Sequence, residues 1–212
     1  MFARFFAAFL FWTLLASSTA PVRAAAAEGT PPSNVLIAGF SGAKHAYACA
    51  VIVAEDAKHV TLVTALHAME IERPEFILLT GERLKIVETS AVGGHDLIVL
   101  SALRPRTHFA VALTAISPTV GGQLHVWGPI KDVPFTFHDG RVRLMDERVS
   151  DAPPGTVAID CAACDHGDSG TGAYDDAGRL VGIITRGYYA DGRKILVAVE
   201  RIEPVMLALV DF

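Results

Sequence analysis

Residues 59–103 read HVTLVTALHAMEIERPEFILLTGERLKIVETSAVGGHDLIVLSAL. The segments HVTLVTAL, EFILLTG, RLKIVETS and HDLIVLSAL are short, rich in Val, Ile, Leu and Thr, and separated by Gly, Pro or charged residues. Apolar runs of roughly 4–8 residues with such borders predict strands, because helices need longer stretches with a 3.6-residue period. The pattern continues outward through ACAVIVAE on one side and QLHVWG, RVRLMD, RLVGIIT and KILVAVE on the other. Thr80-Gly81, Asp139-Gly140, Asp176-Ala177-Gly178 and Asp191-Gly192 predict turns between them. Asp-Gly suits a tight hairpin because a type I′ turn needs positive φ at both central positions. One helix is expected, from about Glu203 through Val210, with Pro204 in its first turn and an apolar stripe of Val205, Leu207, Leu209 and Val210. The chain therefore reads as all-β, a barrel or a sandwich. At 212 residues it holds one domain or two small halves, and the Pro-containing stretch from Arg104 to Gly121 is the candidate link between them.

Lys and Arg number 18 against 23 Asp and Glu, a net charge of −5. That balance argues against a nucleic-acid partner, which calls for a basic face. The first residues are an address rather than fold. Arg4 precedes an apolar run from Phe5 to Leu15, too short for the ~20 helical residues that span a bilayer. Ala24 to Ala27 supplies small residues for cleavage, so residues 1–27 read as a signal peptide and residues 28–33 as a polar lead-in. Export to a periplasmic or extracellular compartment is expected, with no stable membrane insertion after processing.

Three local contexts carry chemistry. TLVTALHAME ends a β-branched strand at His67, GGHDLIVL brings Asp96 to the start of a strand, and HGDSGTGAY frames Ser169 with Gly167 and Gly170. A serine hydroxyl is a weak nucleophile until a base takes its proton. His67 suits that role, and a buried carboxylate at Asp96 would hold the imidazole in the right tautomer. Gly167 permits a backbone turn that directs its N–H and that of Ser169 at one point, forming an oxyanion hole. His95, next to Asp96, reads as a surface neighbour, and Asp160 and Asp165 as solvated turn residues.

Gly167-Asp168-Ser169-Gly170 matches the nucleophile motif of the trypsin-like serine proteases, TALH resembles their histidine motif, and HDLIVL their aspartate motif. The compact spacing, DAGRLVGIITRG and PTVGGQLHVWG resemble the bacterial Deg/HtrA-type and related secreted proteases, without a PDZ domain. The resemblance covers about Val35 to Glu200. It implies two packed antiparallel six-stranded β-barrels, residues 34–112 and 113–212, the second ending in the helix, with a His67, Asp96 and Ser169 triad between them. It implies a serine endopeptidase that acts on polypeptides through an acyl-enzyme, with no metal or organic cofactor. The same machinery would hydrolyse small esters, and a catalytically silent relative would hold a peptide in the same cleft. Two departures stand out: Thr171 and Gly172 replace the Gly and Pro that commonly follow the motif.

The resemblance also places a specificity pocket, with Ala163 at its base, Cys164 along one wall, and Thr185, Arg186 and Gly187 on the other. With no carboxylate at the base, small to medium apolar side chains are expected to enter and Lys or Arg to be refused; Arg186 turned inward would favour Glu or Asp instead. The cysteines are Cys49, Cys161 and Cys164. Cys161 and Cys164 have CxxC spacing, open to a local disulfide, a redox pair, metal ligation with His166, free thiols, or a bond to Cys49.

Overall fold

The computed structural model describes residues 33–112, 118–130, 133–143, 152–153, 155–190, 192–203 and 205. The expected signal peptide lies outside them, and so does the terminal helix apart from residues 203 and 205. Apart from the helical residues 203 and 205, the helical content of the described residues is one 3-10 turn, Leu66–Glu70, so the all-β expectation holds.

The first half is a seven-stranded antiparallel sheet. Its strands are β1 Asn34–Ser41, β2 Lys44–Glu55, β3 His59–Ala65, β4 Glu72–Leu78, β5 Arg83–Leu84, β6 Ile86–Ala91 and β7 Leu97–Leu103. They run in the order β5-β4-β1-β2-β3-β7-β6. The second half is a closed six-stranded barrel. It contains β8 Gln123–Ile130, β9 Val133–Arg143, β10 Val157–Asp160, β11 Gly172–Tyr174, β12 Leu180–Ala190 and β13 Arg193–Arg201, ordered β10-β13-β12-β11-β8-β9. Closure in the second half matches the sequence reading. The first half curls without closing and gains a strand because RLKIVETS is divided between β5 and β6.

Asp139-Gly140 does not make the expected turn. β9 runs straight through it, with Asp139 opposite His125 and Gly140 opposite Leu124. The reason is local: the Asp139 carboxylate takes a 2.7 Å bond from His125 across the strand pair, and a Cβ on residue 140 would approach Ile159 Cδ1 to 3.0 Å. The other turns appear as expected, with Gly81, Gly178 and Gly192 at φ of 86°, 73° and 73°.

Alternation along the strands sends one face of each sheet inward. Val35, Ile37, Ile52, Leu62, Phe76 and Leu100 fill the first half, and Leu124, Val126, Ile159, Val181, Ile184 and Val199 the second. A third cluster joins them: Val51, Val63, Leu97 and Val99 pack against Tyr174, Leu180 and Ile183. Full burial of such a side chain is worth ~1.5–3 kcal/mol, so this shared cluster holds the two halves together. One of its members, Leu97, directly follows Asp96.

Candidate active site

His67 sits in the 3-10 turn that follows β3, and Asp96 in the bend that leads into β7. These strands are neighbours, paired Ala65 to Leu97, so the sheet itself brings the two residues together. Asp96 Oδ2 lies 2.8 Å from His67 Nδ1, and Asp96 Oδ1 accepts the His67 backbone N–H at 3.1 Å. The Leu66 N–H donates to the Asp96 carbonyl at 2.9 Å. With a carboxylate facing Nδ1, the proton resides there and leaves Nε2 free to accept.

Ser169 arrives from the other half, in the turn before β11. Its Oγ lies 2.8 Å from His67 Nε2. Gly170, at φ 83°, lies so close to β2 and β3 that a side chain would collide with the Cys49 carbonyl and Thr64 Oγ1. The close approach lets the Cys49 N–H donate to the Ser169 carbonyl at 2.8 Å. Gly167 adopts φ 105°, which L side chains rarely reach. Among the described residues, the N–H groups of Asp168, Gly170 and Thr171 have acceptors, whereas those of Gly167 and Ser169 have none. Two unused donors thus flank the serine. The departure at Thr171 has a local account: it is fully buried and its hydroxyl donates to the Trp127 carbonyl.

The hydrogen bond between His67 and Asp96 shifts the ionisation of both groups. The hydrogen bond to Asp96 raises the His67 pKa above its ordinary 6.5 against the effect of burial. Burial pushes the Asp96 carboxyl up, but the hydrogen bond and charge of His67 more than offset it and hold the group below its ordinary value. Such a chain can carry a proton from a serine hydroxyl to imidazole while a carboxylate stabilises the resulting imidazolium. Asp168 behaves differently. It is 2% exposed, and burial pushes it up to about 7 despite the Asp165 N–H on its Oδ2.

A cavity of about 350 Å³ opens beside Ser169, with Cys164, Thr185, Arg186 and Gly187 in its lining. The family resemblance grouped these residues in one pocket; Ala163, which it put at the base, is exposed and lies outside the lining. Lys194 and Val197 contribute instead. They come from β13, whose segment KILVAVE read only as a strand, so no local signal marked them. A larger hollow of about 610 Å³ also borders Ser169 and His67, with His45, Tyr47 and Glu70 in its lining.

Cys161 and Cys164 form a disulfide with Cα atoms 5.5 Å apart, and Cys49 is free and buried. His95 is not a surface group. Its ring is 15% exposed and its Nδ1 lies 3.0 Å from Glu200, a buried acid on β13 that sequence reading did not single out.

The family model described as trypsin-like peptidase domain matches residues 48–183, a span that contains His67, Asp96 and Ser169. Solved structures are similar in fold. The active form of the Rv3671c protease from M. tuberculosis has a TM-score of 0.67 at 19% identity, covering 90% of this chain and 83% of that one. The serine endoprotease from Yersinia pestis gives 0.64 at 20%, covering 90% and 64%. An inactive serine-to-alanine form of Rv3671c gives 0.64 at 19%, covering 90% and 89%. No curated protein matches by sequence.

Proposed function

The chain belongs to the trypsin-like peptidase family, and from that premise we propose that it is a secreted serine endopeptidase using His67, Asp96 and Ser169. The observation that carries this reading is the unbroken chain from Ser169 Oγ through His67 to Asp96, at 2.8 Å for each link.

The geometry supports the following course of reaction. Ser169 Oγ attacks the carbonyl carbon of the scissile bond while His67 Nε2 takes its proton. The carbonyl oxygen becomes an oxyanion that the N–H groups of Gly167 and Ser169 stabilise, at ~3–4 kcal/mol per donor. His67 then gives the proton to the leaving amine, the C–N bond breaks, and an acyl-serine remains. Water enters, loses a proton to His67, and attacks the ester carbon. Collapse returns the proton to Ser169 Oγ and releases the acid. Asp96 stays ionised throughout, and its depressed pKa supports that role.

The Cys161–Cys164 disulfide supports an oxidising compartment, as the apolar run near the N-terminus does. The substrate is a polypeptide that runs through the two hollows bordering Ser169. Labelling with a fluorophosphonate probe tests the reading. The wild-type protein is expected to label at Ser169 and to cleave an unfolded protein substrate, and Ser169→Ala to do neither. A wild-type protein that does not label is a silent member of its family.

A further inference from the structure

Glu200 lies near the end of β13, in the barrel that supplies Ser169, and is 1% exposed. Its two carboxylate oxygens lie 3.3 and 3.2 Å from the backbone nitrogen of Asp96, whose N–H they accept, and one of them receives His95 Nδ1–H at 3.0 Å. Burying a carboxyl group is costly unless its oxygens are hydrogen-bonded, and here the partners come from the opposite sheet. The remaining bonds of Asp96 stay within its own half: its carbonyl takes the Leu66 N–H, and its carboxylate takes the backbone and ring N–H of His67. The Arg186 guanidinium, also from the second barrel, stands 3.9 Å from Asp96 Oδ2, beyond hydrogen-bond distance.

Resting on the peptidase reading above, we propose that Glu200 is a positioning residue for hydrolysis. It ties the loop that presents Asp96 to the barrel that presents Ser169. The serine is tied in the reverse direction, by the Cys49 N–H on its carbonyl. Both ends of the His67 relay are therefore pinned across the same interface. Ser169 and His67 lie in turns carried by different sheets, so their 2.8 Å contact depends on how those sheets are registered. A shift of ~1 Å in such a contact can cost on the order of 100-fold in rate, whereas ground-state binding depends on it little. An apolar residue at 200 would keep the packing of β13 and lose this register.

The test uses the rate of inactivation by a fluorophosphonate, separated into kinact and KI, together with thermal unfolding. Glu200→Leu removes the acceptor, Glu200→Asp keeps the carboxylate but withdraws it by one methylene, and Glu200→Gln keeps an acceptor oxygen in place. Glu200→Leu and Glu200→Asp should lower kinact about tenfold or more with KI unchanged, measured well below their unfolding temperatures. Glu200→Gln should recover most of the rate. His95→Phe, which leaves the Asp96 N–H bond in place, should stay within about twofold of wild type. If Glu200→Leu does not fold, the Asp and Gln variants decide the matter. Wild-type kinact in Glu200→Asp, or a Glu200→Gln no better than Glu200→Asp, overturns the proposal while leaving the peptidase reading intact. Failure of the wild-type protein to label overturns both.

Discussion

The Asp168 carboxylate occupies the space that a side chain on residue 128 would fill: a Cβ built on Gly128 falls onto Asp168 Oδ1. Gly128 belongs to β8, in the wall of the second barrel, and Asp168 immediately precedes the candidate nucleophile. The glycine thus gives the serine loop somewhere to put its buried acid. Gly128→Ala should push Asp168 out and turn the Ser169 N–H away from the oxyanion position. The expected result is a fall in kcat together with ~1–3 kcal/mol of destabilisation from overpacking. In an Asp168→Ala background the same substitution should cost little. A double-mutant cycle measures that coupling, and strict additivity would disprove the packing relationship.

Asp168 also makes stability depend on pH. Its carboxyl titrates at about 7 in the folded protein against an ordinary 3.8, because burial disfavours the charge. Between those values the unfolded chain releases a proton that the folded chain keeps. Stability contributed by this group therefore falls as pH rises through that window and is unaffected below it. The loss is on the order of a few kcal/mol. Asp168→Asn removes the titration. Its unfolding temperature should exceed that of wild type at pH 8, and the two should converge at pH 4. A constant difference across the range would place the linkage elsewhere.

The triad residues should fail as a unit. Ser169→Ala and His67→Ala should each remove nearly all turnover, and the double variant should be no worse than either, because the second loss acts on a mechanism already broken. Asp96→Asn should fold and lose roughly 10⁴ in kcat near neutral pH, since an amide favours the wrong imidazole tautomer. Wild-type kcat/KM should have an acid limb above 6.5, following the raised His67 pKa. An acid limb clearly below 6.5 would contradict the Asp96 contact.

What the sequence revealed and what it hid have the same cause. His67, Asp96 and Ser169 each sit in a recognisable local context, and alternating Val, Ile and Leu exposed most strands. β1 escaped because the apolar run of NVLIAGFS is interrupted at Ala38-Gly39, and the strand belongs to the fold only through its pairing with β2 and β4. Asp139-Gly140 has turn chemistry, and cross-strand pairing with His125 overrode it. Glu200 and Lys194 are ordinary polar residues on a strand. Their importance lies in what faces them from elsewhere in the chain, and local patterns carry no record of that. His95 looked like a neighbour of Asp96 exposed to solvent because its acceptor is distant in sequence.

The disulfide should stiffen one cavity wall without driving the chemistry. It closes a loop with a sequence separation of only 3, so its stabilisation should fall below the ~3 kcal/mol of a 15-residue loop. Cys49 is fully buried, and burial raises its thiol pKa well above the ordinary value. Native protein should show no fast-reacting thiol, denatured unreduced protein one, and reduced denatured protein three. Replacing Cys161 and Cys164 together with Ser should raise KM more than it lowers kcat, because Cys164 lines the cavity beside Ser169. A collapse of kcat with KM preserved would instead tie the bond to the serine loop.

The side chain accepted before the scissile bond should be small to medium and apolar. The cavity beside Ser169 has Arg186 and Lys194 in its lining, so a substrate Lys or Arg would bring a further cation into a confined space. Its acids are engaged by the loop itself: Asp165 Oδ1 accepts the His166 N–H, and Asp168 is buried with Oδ2 on the Asp165 N–H. Ile184 and Val197, each 3% exposed, give the cavity an apolar wall. Each well-fitted methylene adds only ~1 kcal/mol, so preference among Ala, Val and Leu should be graded within about tenfold steps. Arg should be cleaved at least 100-fold more slowly than the best of these. Lys194→Glu should raise cleavage after Arg while leaving Ser169 labelling intact. The measurement is a peptide series varied only at this position, with Ala, Val, Leu, Glu and Arg. A dominant Arg or Lys preference in the wild-type protein would show that Arg186, Lys194 and Val197 do not define the pocket.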